Sequence, residues 1–334
     1  ETVLALSLMR QKADQGRQRR IDDAVELGVR WLIKLQNRNG GWPTFCRGWG
    51  KLPFDRSSTD LTAHAMRAIR CYLDSTDQAS VAGFAVPIRN GLRFLHRQQQ
   101  PGGEWLPLWF GNQDRPDESN PIYGTAKVVM AGDLDVGSGW QAIRYLLGHQ
   151  NADGGWGGGP SVAEKIGRLR VSDPQFSDLN PIVPADLQSS VEETALAVEA
   201  LATWILLDRE TRSDSSCGSM SANPQNLRSD RPSAGFSQSR SRSVPTAADV
   251  SGGVKLGGDV AAGGTDPLMA AILRGVDFLV RSVEDRRHRV SWPIGFYFAK
   301  LWYHERLYPL IFTAAALGKF LRATNEEYDS EWPR

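Results

Sequence analysis

Gln36-Asn37-Arg38-Asn39-Gly40-Gly41-Trp42 is the stretch that decides the fold, because the chain repeats it. Gln99 to Trp105 and Gln150-Asn151-Ala152-Asp153-Gly154-Gly155-Trp156 follow the same pattern: Gln, three residues, Gly, one residue, Trp. Each copy closes a helical run that carries an aromatic followed by Leu: Arg30-Trp31-Leu32, Arg93-Phe94-Leu95 and Arg144-Tyr145-Leu146. A fourth run, Gly275-Val276-Asp277-Phe278-Leu279, opens the same way but loses the Gln and Gly before it reaches Trp292. A repeat of this size is one supersecondary unit that cannot bury its apolar face alone, so successive copies must stack.

Between the copies lie helices of a second type, rich in Thr and Ala: Glu1-Thr2, Leu61-Thr62-Ala63, Gly124-Thr125-Ala126, Glu193-Thr194-Ala195 and Phe312-Thr313-Ala314. Small residues suit the inner and more crowded of two concentric rings. The helices that end in Gln-to-Trp turns then form the outer ring. Each Gln side chain is expected to accept from unpaired N–H groups at the start of the next inner helix and to stack on the Trp. Structural packing is the expected role of Trp42, Trp105 and Trp156, and of Gln36, Gln99 and Gln150 with them.

The predicted fold is all-α, an α/α toroid that forms an incomplete α6/α6 barrel. The apolar period places nine helices, over 1–10, 22–36, about 61–73, 87–99, 123–130, 138–149, 190–207, 268–283 and 310–321. Asp22-Asp23 and Pro87 read as helix-start signals. Residues 208–266 are rich in Ser, Gly and Arg and almost free of long apolar residues, so they read as a disordered insertion. The toroid is thus divided into a first part, 1–207, and a final part, 267–334.

Composition narrows the function. Of the 334 residues, 39 are Lys or Arg and 38 Asp or Glu, a formal charge of +1 that gives no electrostatic ground for a nucleic-acid partner. Cys46, Cys71 and Cys217 form no CxxC pair, which points to a reducing compartment and to no zinc cluster. No apolar run is long enough to span a bilayer. A helix starting at Glu1 without a cap or leader reads as the cut edge of a longer chain.

Asp60 and His64 are four residues apart, on one face of a helix. Such a pair can assist acid catalysis: a buried carboxylic acid beside a cationic imidazole is a better proton donor, since the charge it leaves behind is stabilised. From spacing alone an ordinary helical Asp–His pair would look the same. Core packing is the ordinary role of aromatics such as Trp109 and Tyr123.

With these turns in hand, the chain resembles the triterpene cyclases, most closely the squalene–hopene cyclases, whose hallmark repeat is this Gln-to-Trp turn. Asp60-Leu61-Thr62-Ala63-His64 resembles the family's D-V-T-A-H segment. Trp105 with Trp109, then Tyr123-Gly124-Thr125, resembles S-W-x3-W…Y-G-T, and Tyr308-Pro309 resembles its F-P segment. The resemblance implies the C-terminal part of a cyclase that protonates squalene or a related linear polyprenyl substrate and folds it through carbocations, without cofactor or metal. It also implies His64, with Asp60, in support of the initiating acid, and cavity aromatics at Trp109, Tyr123 and Tyr297 that hold migrating positive charge. Glu1-Thr2 aligns with the end of the family's Asp-x-Asp-Asp-Thr acid motif, which places the acid itself before residue 1. Glu1-Thr2 can equally be another copy of Glu193-Thr194.

The implied setting is the cytoplasmic side of a membrane, bound peripherally or monotopically through the full-length protein, with a homodimer left open. The piece alone is expected to be inactive. Leu301 and His304 depart from the family pattern, which keeps other products or substrates in play. The rival readings are a non-catalytic α/α toroid that binds an isoprenoid or a protein, and a prenyltransferase-like toroid. The second of these needs a zinc site of Asp, Cys and His that the sequence does not display.

Overall fold

The computed structural model describes residues 1–74, 84–168, 180–217, 266–296 and 301–325, with the backbone course alone over 210–217. Its helices are α1 (Thr2–Arg10), α2 (Gln15–Leu35), α3 (Thr59–Asp74), α4 (Ala85–Gln98), α5 (Pro121–Val129), α6 (Val136–Gly148), α7 (Val162–Arg168), α8 (Val191–Cys217), α9 (Pro267–Glu284) and α10 (Tyr308–Thr324). The strands are two short antiparallel pairs, β1 (Trp42–Pro43) with β2 (Ser57–Ser58) and β3 (Gly295–Phe296) with β4 (Trp302–Tyr303).

Packing sorts the long helices into two rows. Helices α1, α3, α5, α8 and α10 touch in series, while α2, α4, α6 and α9 lie against them from outside. Burial is deepest in the middle of the inner row and falls off at its ends, where α1 buries only Val3. Every residue of α5 is buried, whereas α2 buries only Val25 and Val29. A helix enclosed on all sides, as α5 is, must be apolar or small all round; an outer helix needs only one apolar stripe. The fold is therefore all-α, with the alternating inner and outer helices of an incomplete α/α toroid.

Each intact Gln-to-Trp turn joins three helices. The side-chain amide of Gln36 donates to Gly40 O and to Pro87 O of α4, both at 2.8 Å. Gln99 donates to Gly103 O and to Ser138 O of α6, both at 3.0 Å. Gln150 donates to Gly154 O at 2.8 Å and to Ala271 O of α9 at 2.9 Å. The main-chain N–H of the Trp meanwhile reaches the next inner helix: Trp42 to Thr62 Oγ1 at 3.0 Å, Trp105 to Thr125 at 3.1 Å, Trp156 to Thr194 at 2.8 Å. Each indole Nε1 turns back to the helix just ended, at Leu32 O, Leu95 O and Leu146 O.

The expected role of the glutamines is thus reversed. They donate to the next outer helix instead of accepting from the next inner one. A carboxamide has two N–H groups, and these match two carbonyls; the acceptor toward the inner helix is already the threonine hydroxyl. The glycine that follows Gln by four is required by conformation. Gly40, Gly103 and Gly154 have φ of 93°, 99° and 90°. A Cβ on Gly103 would lie 2.5 Å from Gln141 O, one on Gly154 2.9 Å from Arg274 O, and one on Gly40 would run into Asn90 O.

Several boundaries differ from the sequence reading. Helix α2 starts at Gln15, capped by Asp14, whose side chain accepts from Arg17 N at 2.9 Å, so Asp22-Asp23 lie inside the helix. Pro87 is third in α4, which begins at Ala85. Helix α7 is an addition to the nine: seven residues in a polar stretch show too little period to be read. Helix α8 continues from Leu207 to Cys217, and 218–265, most of the segment read as an insertion, lies outside the described residues.

Candidate active site

The three threonine anchors give the inner helices a common register. Asp60, Tyr123 and Glu192 each stand two residues before the anchoring threonine; His64, Lys127 and Leu196 stand two residues after it. Positions four apart share a helix face, so these residues form two levels at the end where the inner helices begin. Glu1, the N-cap residue of α1, joins them.

Asp60 is 1% exposed, and its carboxylate accepts from Ser58 Oγ. Glu1 Oε1 lies 2.7 Å from His64 Nδ1. The approach is off the line of a good ring hydrogen bond, so the carboxylate sits beside the polar edge of the ring. The contact with His64 holds the Glu1 carboxyl well below the usual carboxylate range. Burial pushes the His64 imidazole the other way from the expected cation. Desolvation lowers its pKa, the Lys127 charge adds to that, and Glu1 and Asp60 oppose both. The structure brings Glu1, Asp60 and His64 together as the sequence anticipates, while favouring a neutral ring.

The aromatics are rearranged. Tyr123 is buried and stacks on Phe110, with ring centroids 3.7 Å apart and planes 11° apart. Tyr308 and Phe312 of α10 stack at 4.9 Å, and Phe110 lies 6.4 Å from Tyr308. Burial raises the Tyr123 phenol well above its ordinary value, which keeps it neutral. The Trp109 indole instead donates to Thr44 Oγ1 at 2.6 Å, tying the loop after the first turn to the loop before α5. Tyr297 lies outside the described residues. The sequence reading missed Phe110, Phe312 and Lys127. The signal was the lysine in the otherwise apolar run Tyr123-Gly124-Thr125-Ala126-Lys127-Val128-Val129, two residues past the anchoring threonine.

Glu192 and Glu193 are fully buried at the start of α8. Glu193 accepts from Ser190 Oγ at 2.6 Å and Gly158 N at 2.8 Å, a structural carboxylate. Glu192 Oε1 accepts from Trp292 N at 2.6 Å, and its other oxygen has no partner. Burial pushes the Glu192 carboxyl up to about 8, so it carries a proton at neutral pH. Among the described residues no group of His, Cys, Asp or Glu is arranged to hold a metal.

A double row of helices joined by Gln-to-Trp turns, with a carboxyl–imidazole cluster and stacked aromatics at one end of the inner row, defines a terpene-cyclase type of domain. Residues 1–168, half of the chain, match the family model of the squalene–hopene cyclase C-terminal domain, and the chain belongs to that family. It is 27% identical over 172 residues to the squalene–hopene cyclase of Bradyrhizobium diazoefficiens, covering 46% of this chain and 24% of that protein. It is 29% identical over 149 residues to a drimenyl diphosphate synthase of Streptantibioticus cattleyicolor, covering 42% and 24%. A solved ent-copalyl diphosphate synthase from Streptomyces platensis aligns over 96% of this chain and 49% of that one, at 16% identity and a TM-score of 0.49. The matched stretch spans about a quarter or less of the length of the curated relatives.

Proposed function

We propose that this chain is the C-terminal part of a squalene–hopene-type cyclase, which protonates squalene or a related linear polyprenyl substrate and cyclises it through carbocations. The observation that carries the reading is the meeting of Glu1, Asp60 and His64 at the rim where the inner helices begin. Asp60 and His64 serve as supports of the initiating acid, and Glu1 stands at the end of the acid motif. Protonation of an alkene creates a carbocation with no nucleophile wanted nearby, and ring faces can hold that charge at roughly 0.5–2 kcal/mol each. Phe110 and Tyr308 supply such faces, since Tyr123 and Phe312 are stacked on them and face the Lys127 side chain. A cascade that begins with a proton gained and ends with one lost needs no cofactor.

In this reading the full-length protein works at a membrane periphery, where a hydrocarbon substrate partitions, and on the cytoplasmic side that the family resemblance implies. No described helix is long and apolar enough to cross a membrane. A second reading, a non-catalytic toroid that binds an isoprenoid or a protein, is favoured by one observation: the imidazole at the rim is driven toward its neutral form.

Incubating the full-length protein with squalene and analysing products by mass spectrometry separates the two. Cyclised product from the wild type and none from His64→Ala is expected. Normal cyclisation by His64→Ala would sink the role given to this residue, and tight squalene binding without turnover would favour the second reading.

A further inference from the structure

The loop between the first Gln-to-Trp turn and α3 holds apolar side chains out in solvent. Trp49 is 90% exposed and Phe45 66%, with Leu52 exposed further along. The loop is tightly built. The Asp55 carboxylate, itself buried, accepts from Trp49 N at 3.0 Å and from Leu52 N at 2.9 Å. Phe45 N donates to Phe54 O at 3.1 Å, and the Asn37 side chain donates to Asp55 O at 2.8 Å. A Cβ on Gly48 would run into the Asp55 carboxyl. An internal hydrogen-bond framework thus keeps large apolar side chains facing outward, and a cluster of that kind marks a contact surface.

Charge in this region is one-sided. Residues 31–58 carry Lys34, Arg38, Arg47, Lys51 and Arg56 against the buried Asp55 alone, in a chain balanced at 39 basic to 38 acidic residues. All five cations are exposed, and none has a carboxylate partner among the described residues. Arg47 donates to Lys34 O at 3.4 Å, which draws the loop against the end of α2. Trp31, three residues before Lys34 and so on the same helix face, is exposed there.

We propose that this loop, with the adjoining end of α2, docks on a phospholipid bilayer that carries anionic headgroups. Trp and Phe settle at the boundary between headgroups and acyl chains, where the ring is buried and the indole N–H keeps a polar partner. The surrounding Lys and Arg meet the lipid phosphates and the negative surface potential. A second copy of this chain is a poor occupant, because a two-fold interface would set the same five cations against each other. The inference deepens the membrane setting proposed above and rests on that reading. Thr44, at the foot of the loop, accepts from Trp109 at 2.6 Å, and the loop runs through β2 into Asp60. A bilayer touching Trp49 therefore lies alongside the rim, where an apolar substrate leaving it would be used.

The test is sedimentation of the full-length protein with vesicles of phosphatidylcholine alone, or of phosphatidylcholine and phosphatidylglycerol in equal parts. The wild type should bind the anionic vesicles about tenfold more tightly than the neutral ones, and added salt should narrow the gap. Phe45→Ser with Trp49→Ser should weaken that binding about tenfold or more. Arg47→Glu with Lys51→Glu should abolish the preference for anionic vesicles. Should the serine pair fail to fold, Trp49→Ser alone takes its place. Val136→Ser, at an exposed position starting α6, should bind as the wild type does. Brominated acyl chains should quench the wild type more than Trp49→Phe, which keeps an apolar ring without the indole. Unchanged binding by the serine variants, an equal loss in Val136→Ser, or equal quenching in wild type and Trp49→Phe overturns the inference. So does a Trp49 shielded from acrylamide before vesicles are added, since protein then covers it. A wild type that cyclises squalene but ignores vesicles overturns this inference and leaves the reaction standing. One that docks through the loop and makes no product removes the reaction alone.

Discussion

Trp292 and Glu192 are joined by a 2.6 Å hydrogen bond from the tryptophan main-chain N–H to Oε1, where the other three turns join tryptophan to threonine. The degenerate fourth turn has exchanged its anchor. The Trp292 N–H reaches back to the preceding inner helix, and both Trp292 Nε1 and Thr313 Oγ1 are buried without a partner. Thr125→Val, which removes the acceptor of the buried Trp105 N–H, should therefore cost about 1–3 kcal/mol. Thr313→Val removes a hydroxyl that bonds to nothing and should be neutral or slightly stabilising. Urea denaturation of the two variants checks this; equal losses would contradict it.

The buried Glu192 carboxyl gives stability a pH slope of definite sign. Its pKa is raised from the model-peptide value of 4.5 to about 8 in the fold. Between these values the unfolded chain ionises Glu192 while the folded one keeps its proton. Stability should fall as pH rises through this window, by an amount on the order of several kcal/mol at most, and level off above it. Glu192→Gln keeps an oxygen for the Trp292 N–H and cannot ionise. Denaturation at pH 5 and at pH 8 should show the difference shrinking in this variant.

The Glu1–His64 contact carries the opposite sign. The Glu1 carboxyl is depressed first of all by its contact with His64, so its contribution is present above the ordinary value of 4.5 and lost as pH falls through the folded one. Glu1→Gln should remove that acid-side loss and move the His64 titration midpoint further down, since an opposing carboxylate is gone. Ring proton shifts followed across pH will show whether the midpoint moves; an upward shift would contradict the arrangement.

Glycine in the turns is open to a paired test. Gly103 has φ of 99° and faces Gln141 O, so Gly103→Ala should destabilise by more than about 1 kcal/mol. Gly148, the last residue of α6, has open space where its Cβ would be, so Gly148→Ala should gain roughly 0.4–1 kcal/mol. Thermal melts of the two alanine variants should move in opposite directions.

The double row of helices was legible because the repeat is written in residues with fixed conformational duties: a glycine with positive φ, a tryptophan that must be buried, a glutamine with two protons to give. Which way the glutamine points was not legible. Donor and acceptor share one amide, and only the placed helices show that the carbonyls of α4, α6 and α9 lie within reach. The meeting of Asp60, His64 and Glu1 followed from helical spacing and resemblance. The direction in which His64 is shifted did not, because it follows first from burial and then from charged groups brought up by other helices. Phe110 was not legible, since its stacking on Tyr123 comes from chain folding alone.

The threonine anchors have a consequence for how such a rim can change over evolutionary time. Thr62, Thr125 and Thr194 hold the inner helices through bonds to which their neighbours at minus two and plus two contribute nothing. The scaffold therefore offers a set of addresses whose coordinates do not depend on their contents, Glu192 excepted, since it anchors Trp292 in its turn. Asp60, Tyr123 and Glu192 occupy one address in successive units as an acid, a phenol and a proton-carrying carboxyl; His64, Lys127 and Leu196 occupy the other. A lineage can rewrite the chemistry at either address, one substitution at a time, and still deliver each new side chain to the same spot.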